Sequence, residues 1–75
     1  MKSLTALELK RGMDYKVSVG CLGFFDRKLD NDGYHYDTVD GVVIDEEAGT
    51  ITVFGFNKVV TLSVSQHVIQ TNEVN

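Results

Sequence analysis

Residues 38–64, TVDGVVIDEEAGTITVFGFNKVVTLSV, decide how this chain folds. Within them DGVVID (Asp40 to Asp45), TITVF (Thr50 to Phe54) and VVTLSV (Val59 to Val64) are short β-branched and aromatic runs separated by turn residues, the composition of strands. If Glu46-Glu47-Ala48-Gly49 is a four-residue hairpin loop, Asp45 faces Thr50, Ile44 faces Ile51 and Val42 faces Val53. Gly49 then falls at the loop end, where a positive φ is often needed. If Gly55-Phe56-Asn57-Lys58 is a second such loop, Phe54 faces Val59, Val53 faces Val60 and Ile51 faces Leu62. The two loops agree on one inward set: Ile44, Ile51 and Leu62 in one row, Val42, Val53 and Val60 in the next. Val43, Thr52 and Thr61 lie on the other side, and so does Phe54, across from Gly41. A slip of one residue would turn the inward aliphatics to water, so the register of this three-stranded meander is strongly specified.

Working outward toward the N-terminus, Tyr15, Val17, Val19 and Cys21 alternate with Lys16 and Ser18, which predicts a strand over residues 15–22. Gly20 and Gly23 suggest a bulge or bend at its end. Thr5-Ala6-Leu7-Glu8 has capping-box spacing, with Gly12 placed to close a short helix. A helical turn is favoured there over the competing reading, an extended arm followed by a turn at residues 11–14. Asp30-Asn31-Asp32-Gly33 is a turn signal inside a long excursion, residues 24–38, and as a hairpin it would pair Leu29 with Tyr34 and Arg27 with Tyr36. Ser65-Gln66-His67 is a short polar break, and residues 68–74 supply a further strand. The expected architecture is mainly β: one domain over residues 1–75, a five-stranded SH3-like small antiparallel barrel with a short N-terminal helical turn and a long loop between strands one and two. A five-stranded OB-type barrel is the alternative closure.

At 75 residues the core is small, and self-association would help to stabilise it. A single cysteine, Cys21, excludes an internal disulfide and fits a reducing compartment. With no charged-then-apolar leader and no apolar run of membrane-spanning length, the expected location is the cytoplasm. Residues 1–28 carry six basic side chains (Lys2, Lys10, Arg11, Lys16, Arg27, Lys28) against three acidic. Residues 29–56 carry seven acidic ones (Asp30, Asp32, Asp37, Asp40, Asp45, Glu46, Glu47) and no Lys or Arg, and the whole chain nets −4. That balance disfavours generic binding to phosphate backbones.

A resemblance emerges from the order of these features. Residues 10–17 (KRGMDYKV), residues 40–47 (DGVVIDEE), then Phe54-Gly55, Val60, Leu62 and Ser65-Gln66-His67-Val68 resemble the succession found in KOW-type SH3-like domains. Such domains belong to transcription-elongation factors and ribosomal proteins, and the resemblance implies a small barrel that contacts RNA, ribosomal partners or polymerase. The excursion from residue 24 to 37 is longer than the family's short turn, and it is acidic, which weighs against RNA.

No arrangement of residues points to catalysis. Aligning Gly33 with the glycine of an EF-hand loop puts Lys28 at the first ligand position and Val39 at the last, so Asp30, Asp32 and Asp37 read as an ordinary turn. His35, His67 and Cys21 lack zinc-site spacing, and the histidines read as a loop and a barrel-end residue. Cys21 in an alternating strand reads as a small inward side chain, not a nucleophile. The chain is therefore expected to be no enzyme, with no cofactor and no metal. The rings are more suggestive. Phe24, Phe25, Tyr34 and Tyr36 in the excursion, Phe54 on the outer face and Phe56 in a hairpin loop either fold back to close the barrel or form an exposed patch bordered by Asp37, Asp40 and Asp45. The second arrangement predicts a protein-interaction module, an adaptor, inhibitor or self-associating accessory protein of the kind cells and viruses or mobile elements both use, seeking a basic partner. The alternative is a nucleic-acid-binding barrel using Lys10, Arg11, Lys16, Arg27 and Lys28 for phosphates and the rings for stacking.

Overall fold

A computed structural model describes residues 1–18, 20 and 33–72. Six strands appear in it: β1 (Lys2–Thr5), β2 (Asp14–Ser18), β3 (Tyr34–Asp45), β4 (Thr50–Gly55), β5 (Val59–Ser63) and β6 (His67–Gln70). They form one antiparallel sheet in the order β1-β6-β2-β3-β4-β5. Its only helical element among the described residues, apart from the isolated Gly20, is a 3₁₀ turn, Ala6–Glu8.

The two hairpins have the register that their loops demand. Asp45 faces Thr50, Ile44 faces Ile51, Val42 faces Val53 and Gly41 faces Phe54, while Ile51 faces Leu62 and Phe54 faces Val59. Gly49 takes φ +67°, the left-handed conformation that a side chain would disfavour at the loop end. The Asp45 carboxylate accepts the Ala48 N–H at 3.1 Å across the same turn. In the second loop the Gly55 N–H donates to the Lys58 carbonyl at 2.9 Å.

β3 changes partners halfway. Its first half, from Tyr34 to Thr38, pairs with β2, and its second half, from Val39 to Asp45, pairs with β4. The register shifts between Val39 and Gly41, so Asp40 is a bulge. A bulge bends a strand and raises its twist, which lets one long strand serve both halves of a curved sheet. It also inverts the alternation: His35, Asp37 and Val39 face inward before it, and Val42 follows after it.

The core is built from Leu4, Ala6, Leu9, Met13, Tyr15, Val17, Val39, Ile51, Val53, Val60, Leu62 and Val68, with Val42 and Val64 packed partly against it. Ile44 departs from the expected inward row. It stands opposite the fully buried Ile51 yet is 45% exposed. Beyond Thr38 no β2 residue pairs with β3, so Ile44 has a neighbouring strand on one side only. Leu62, at the far end of the same row, stays buried; the 3₁₀ turn hydrogen-bonds just past the end of its strand, Leu7 N–H to Val64 O at 3.1 Å and Ala6 N–H to Gln66 O at 2.8 Å.

Three further differences concern the ends of the chain and the closure. Residues 2–5, of which the sequence pattern assigns only Thr5, as a helix cap, form β1 against β6. The turn itself is there: the Glu8 carboxylate accepts the Thr5 N–H at 2.8 Å and its hydroxyl at 3.3 Å. Gly12 does not close it: it takes φ +94° in a separate turn, with the Met13 N–H bonded to the Lys10 carbonyl, so of the competing reading the turn is present and the extended arm is not. The sheet is open, because β1 and β5 are its edges and no ladder joins them among the described residues. The ends of the first and last expected strands (Val19, Cys21, Leu22 and residues 73–74), the turn at residues 30–32 and the pairings of Leu29 and Arg27 lie outside the described residues. Tyr34 and Tyr36 pair with Ser18 and Lys16 of β2.

Candidate functional site

The outer face of β3, β4 and β5 is set by the same register that builds the core. One cross-strand row carries Gly41, Phe54 and Val59, and the next carries Val43, Thr52 and Thr61. Phe54 is 42% exposed, Val43 58% and Val59 57%. Gly41 contributes no side chain to cover the ring. Phe56, at the tip of the β4–β5 loop, is more exposed still. Asp40, Asp45, Glu46 and Glu47 are exposed around the same half of the sheet. Scattered apolar residues on a surface need no explanation, but Phe54, Val59 and Val43 are neighbours in adjacent rows.

Tyr34 and Tyr36 form a second, separate group. Their rings meet edge-on at 6.4 Å, and the Lys16 ammonium lies over both, 4.5 Å from the Tyr34 centroid and 5.8 Å from that of Tyr36. The cause is the β2–β3 register, which sets Lys16 opposite Tyr36 and Ser18 opposite Tyr34. Tyr36 also borders a groove of about 260 Å³, with Asp14, Thr38 and Thr71 on its walls. Lys10 and Arg11 are exposed in the turn before β2. Phe24, Phe25, Arg27 and Lys28, named as site residues from the sequence, lie outside the described residues.

Asp37 does not border a surface patch. Its side chain is fully buried and faces the core side of β3. One carboxylate oxygen accepts the Thr38 N–H at 2.8 Å and the Asn57 N–H at 3.1 Å; the other accepts the Lys58 N–H at 3.1 Å. These charge-assisted bonds tie the Phe56-bearing loop to β3, and the Phe56 N–H adds a bond to the Thr38 carbonyl at 3.0 Å. His35, expected in a loop, is buried on β3 with its Nε2 3.8 Å from the Asp37 carboxylate. Its ring meets that of Tyr15 edge-on at 6.2 Å. The Tyr15 hydroxyl is buried with no hydrogen-bond partner, and burial first, then the Asp37 charge, push its pKa up from the ordinary 10.0.

The inward placement of His35 and Asp37 could have been read from the strict alternation of YHYDTV, residues 34–39, counted back from an inward Val39. Counted back from Val42 the same alternation puts Tyr36 inside and Asp37 outside, and only the bulge at Asp40 decides between the two.

Among the described residues, no three His, Cys, Asp or Glu side chains converge as metal ligands, and no helix is long and apolar enough to cross a membrane. Comparison with known proteins brings no relative: no family model, curated protein or solved structure matches the chain.

Proposed function

We propose that this chain is a non-enzymatic protein-interaction module of the KOW-type, SH3-like kind, binding a basic protein partner through the outer face of β3, β4 and β5. The observation that carries the reading is the exposure of Phe54, Val59 and Val43 as neighbours on one sheet face, bordered by Asp40, Asp45, Glu46 and Glu47. Rings and aliphatics at the centre supply the desolvation that anchors an interface, and the acidic border steers a cationic partner onto it. Phe56 stands at one end of this face on a loop that Asp37 holds in place. For the barrel itself the support is the strand order, since β6 returns to pair with β2 while β3 serves both halves of the sheet.

A second reading rests on Lys16 and the rings of Tyr34 and Tyr36, a cation beside two stacking surfaces, with Lys10 and Arg11 in the turn leading to the same strand. That set would take a single-stranded nucleic acid. The net charge of −4 favours the first reading.

Affinity capture from a native lysate separates them. Nuclease treatment should leave the captured proteins unchanged, raised salt should weaken them, and Phe54→Ser should lose them while keeping the thermal midpoint near that of the parent. Capture that disappears with nuclease, or survives Phe54→Ser intact, would overturn the first reading.

A further inference from the structure

β5 ends the sheet, and its hydrogen-bonding parity is fixed at both ends. The Gly55 N–H donates to the Lys58 carbonyl and the Val64 N–H to the Gly49 carbonyl. Val60 and Leu62 therefore turn their backbone groups toward β4, together with the Lys58 carbonyl and the Val64 N–H, and Val59, Thr61 and Ser63 turn theirs toward the open edge. Monomeric proteins blunt such an edge with charges, proline or a covering loop. Residues 59–64, VVTLSV, contain neither charge nor proline, and Val59, Thr61 and Ser63 are exposed.

We propose that β5 pairs in antiparallel with β5 of a second copy of this chain, about a twofold axis through Thr61. In that register Thr61 meets its own equivalent and Val59 meets Ser63 of the other copy, so the edge-facing N–H groups all find carbonyls. The Ser63 carbonyl, which already accepts the Gln66 N–H at 2.9 Å, contributes its second lone pair. On the outer face the two Thr61 side chains form a favourable cross-strand pair.

Charge selects this edge and this occupant. The twofold sets Lys58 of each copy beside Val64 of the other, whose N–H is bonded to Gly49 at the end of the acidic loop that carries Asp45, Glu46 and Glu47. Two strand spacings, about 10 Å, separate Lys58 from that Gly49, within reach of the two charged side chains. The one-sided half of β3, by contrast, is bracketed by Asp40 and Asp45, and a second copy there would face like charges. Self-pairing uses the backbone edge of β5, whereas the binding proposed above uses outer side chains, so Phe54→Ser should remove the latter and spare the former.

Sedimentation equilibrium over a dilution series tests the pairing. The parent chain should form dimers, and Thr61→Lys should raise the dissociation constant at least about tenfold, because like charges then meet at the axis. Thr61→Glu should behave likewise, and mixing the two variants should restore the dimer. A parent chain monomeric at every concentration, a Thr61→Lys chain that dimerises as the parent does, or variants that fail to pair when mixed would each overturn the proposal. Amide exchange on the parent reads the same contact without mutation: Val59, Thr61 and Ser63 should slow on concentration while Val60 and Leu62 stay constant, and a concentration-independent pattern would overturn it.

Discussion

The Asp37 carboxylate lies directly against Gly55, in the space that a side chain at residue 55 would occupy. A Cβ there would also come within 2.7 Å of the Lys58 carbonyl oxygen. The glycine is required by this close approach, and its φ is not positive. Its absence of a side chain lets an inward carboxylate reach the amides of the β4–β5 loop.

Gly55→Ala should accordingly destabilise the fold by about 1–3 kcal/mol, the range for overpacking a filled site. Asp37→Ala should cost about 2–3 kcal/mol by leaving the Asn57 and Lys58 N–H groups without their acceptor. Because the smaller side chain relieves the overlap, the double variant should be more stable than the two losses added together. Urea unfolding of the three variants measures this cycle, and strict additivity would contradict the contact.

Tyr15→Phe removes a buried hydroxyl that has no partner, so it should leave stability at neutral pH unchanged or raise it by about 1 kcal/mol. The alkaline limb supplies the sign. A Tyr15 pKa raised on folding means that the folded state holds its proton more tightly than the unfolded chain. This contribution is complete below the ordinary value of 10.0 and is lost as pH rises through the higher folded value. Urea midpoints from pH 8 upward should therefore fall more steeply above pH 10 for the parent than for Tyr15→Phe, and parallel curves would refute the account.

Ile44 and Ile51 face each other across β3 and β4 but differ in burial, 45% exposed against none. Ile51→Ala should cost about 2–5 kcal/mol and Ile44→Ala no more than about 1 kcal/mol. Equal losses in denaturant unfolding would mean that the row closes over Ile44.

The amino-acid sequence by itself determined the β3–β4–β5 meander. Two loops of four residues, Gly49 at a positive φ and a period-two pattern of aliphatics admit only one register, and the information is local. It also determined that Phe54 and Val59 share the outer face with Val43, since parity alone places them. Tertiary structure decided the rest. The bulge at Asp40 is one residue of slippage between β3 and β4, and nothing in the composition of residues 34–45 marks it, yet it moves Asp37 and His35 from the surface to the interior. Ile44 owes its exposure to where β2 stops pairing, and β1 exists because β6, more than sixty residues away, offers it an edge. A side chain's face follows from its neighbours in sequence, but whether that face is covered depends on which distant strand lies beside it.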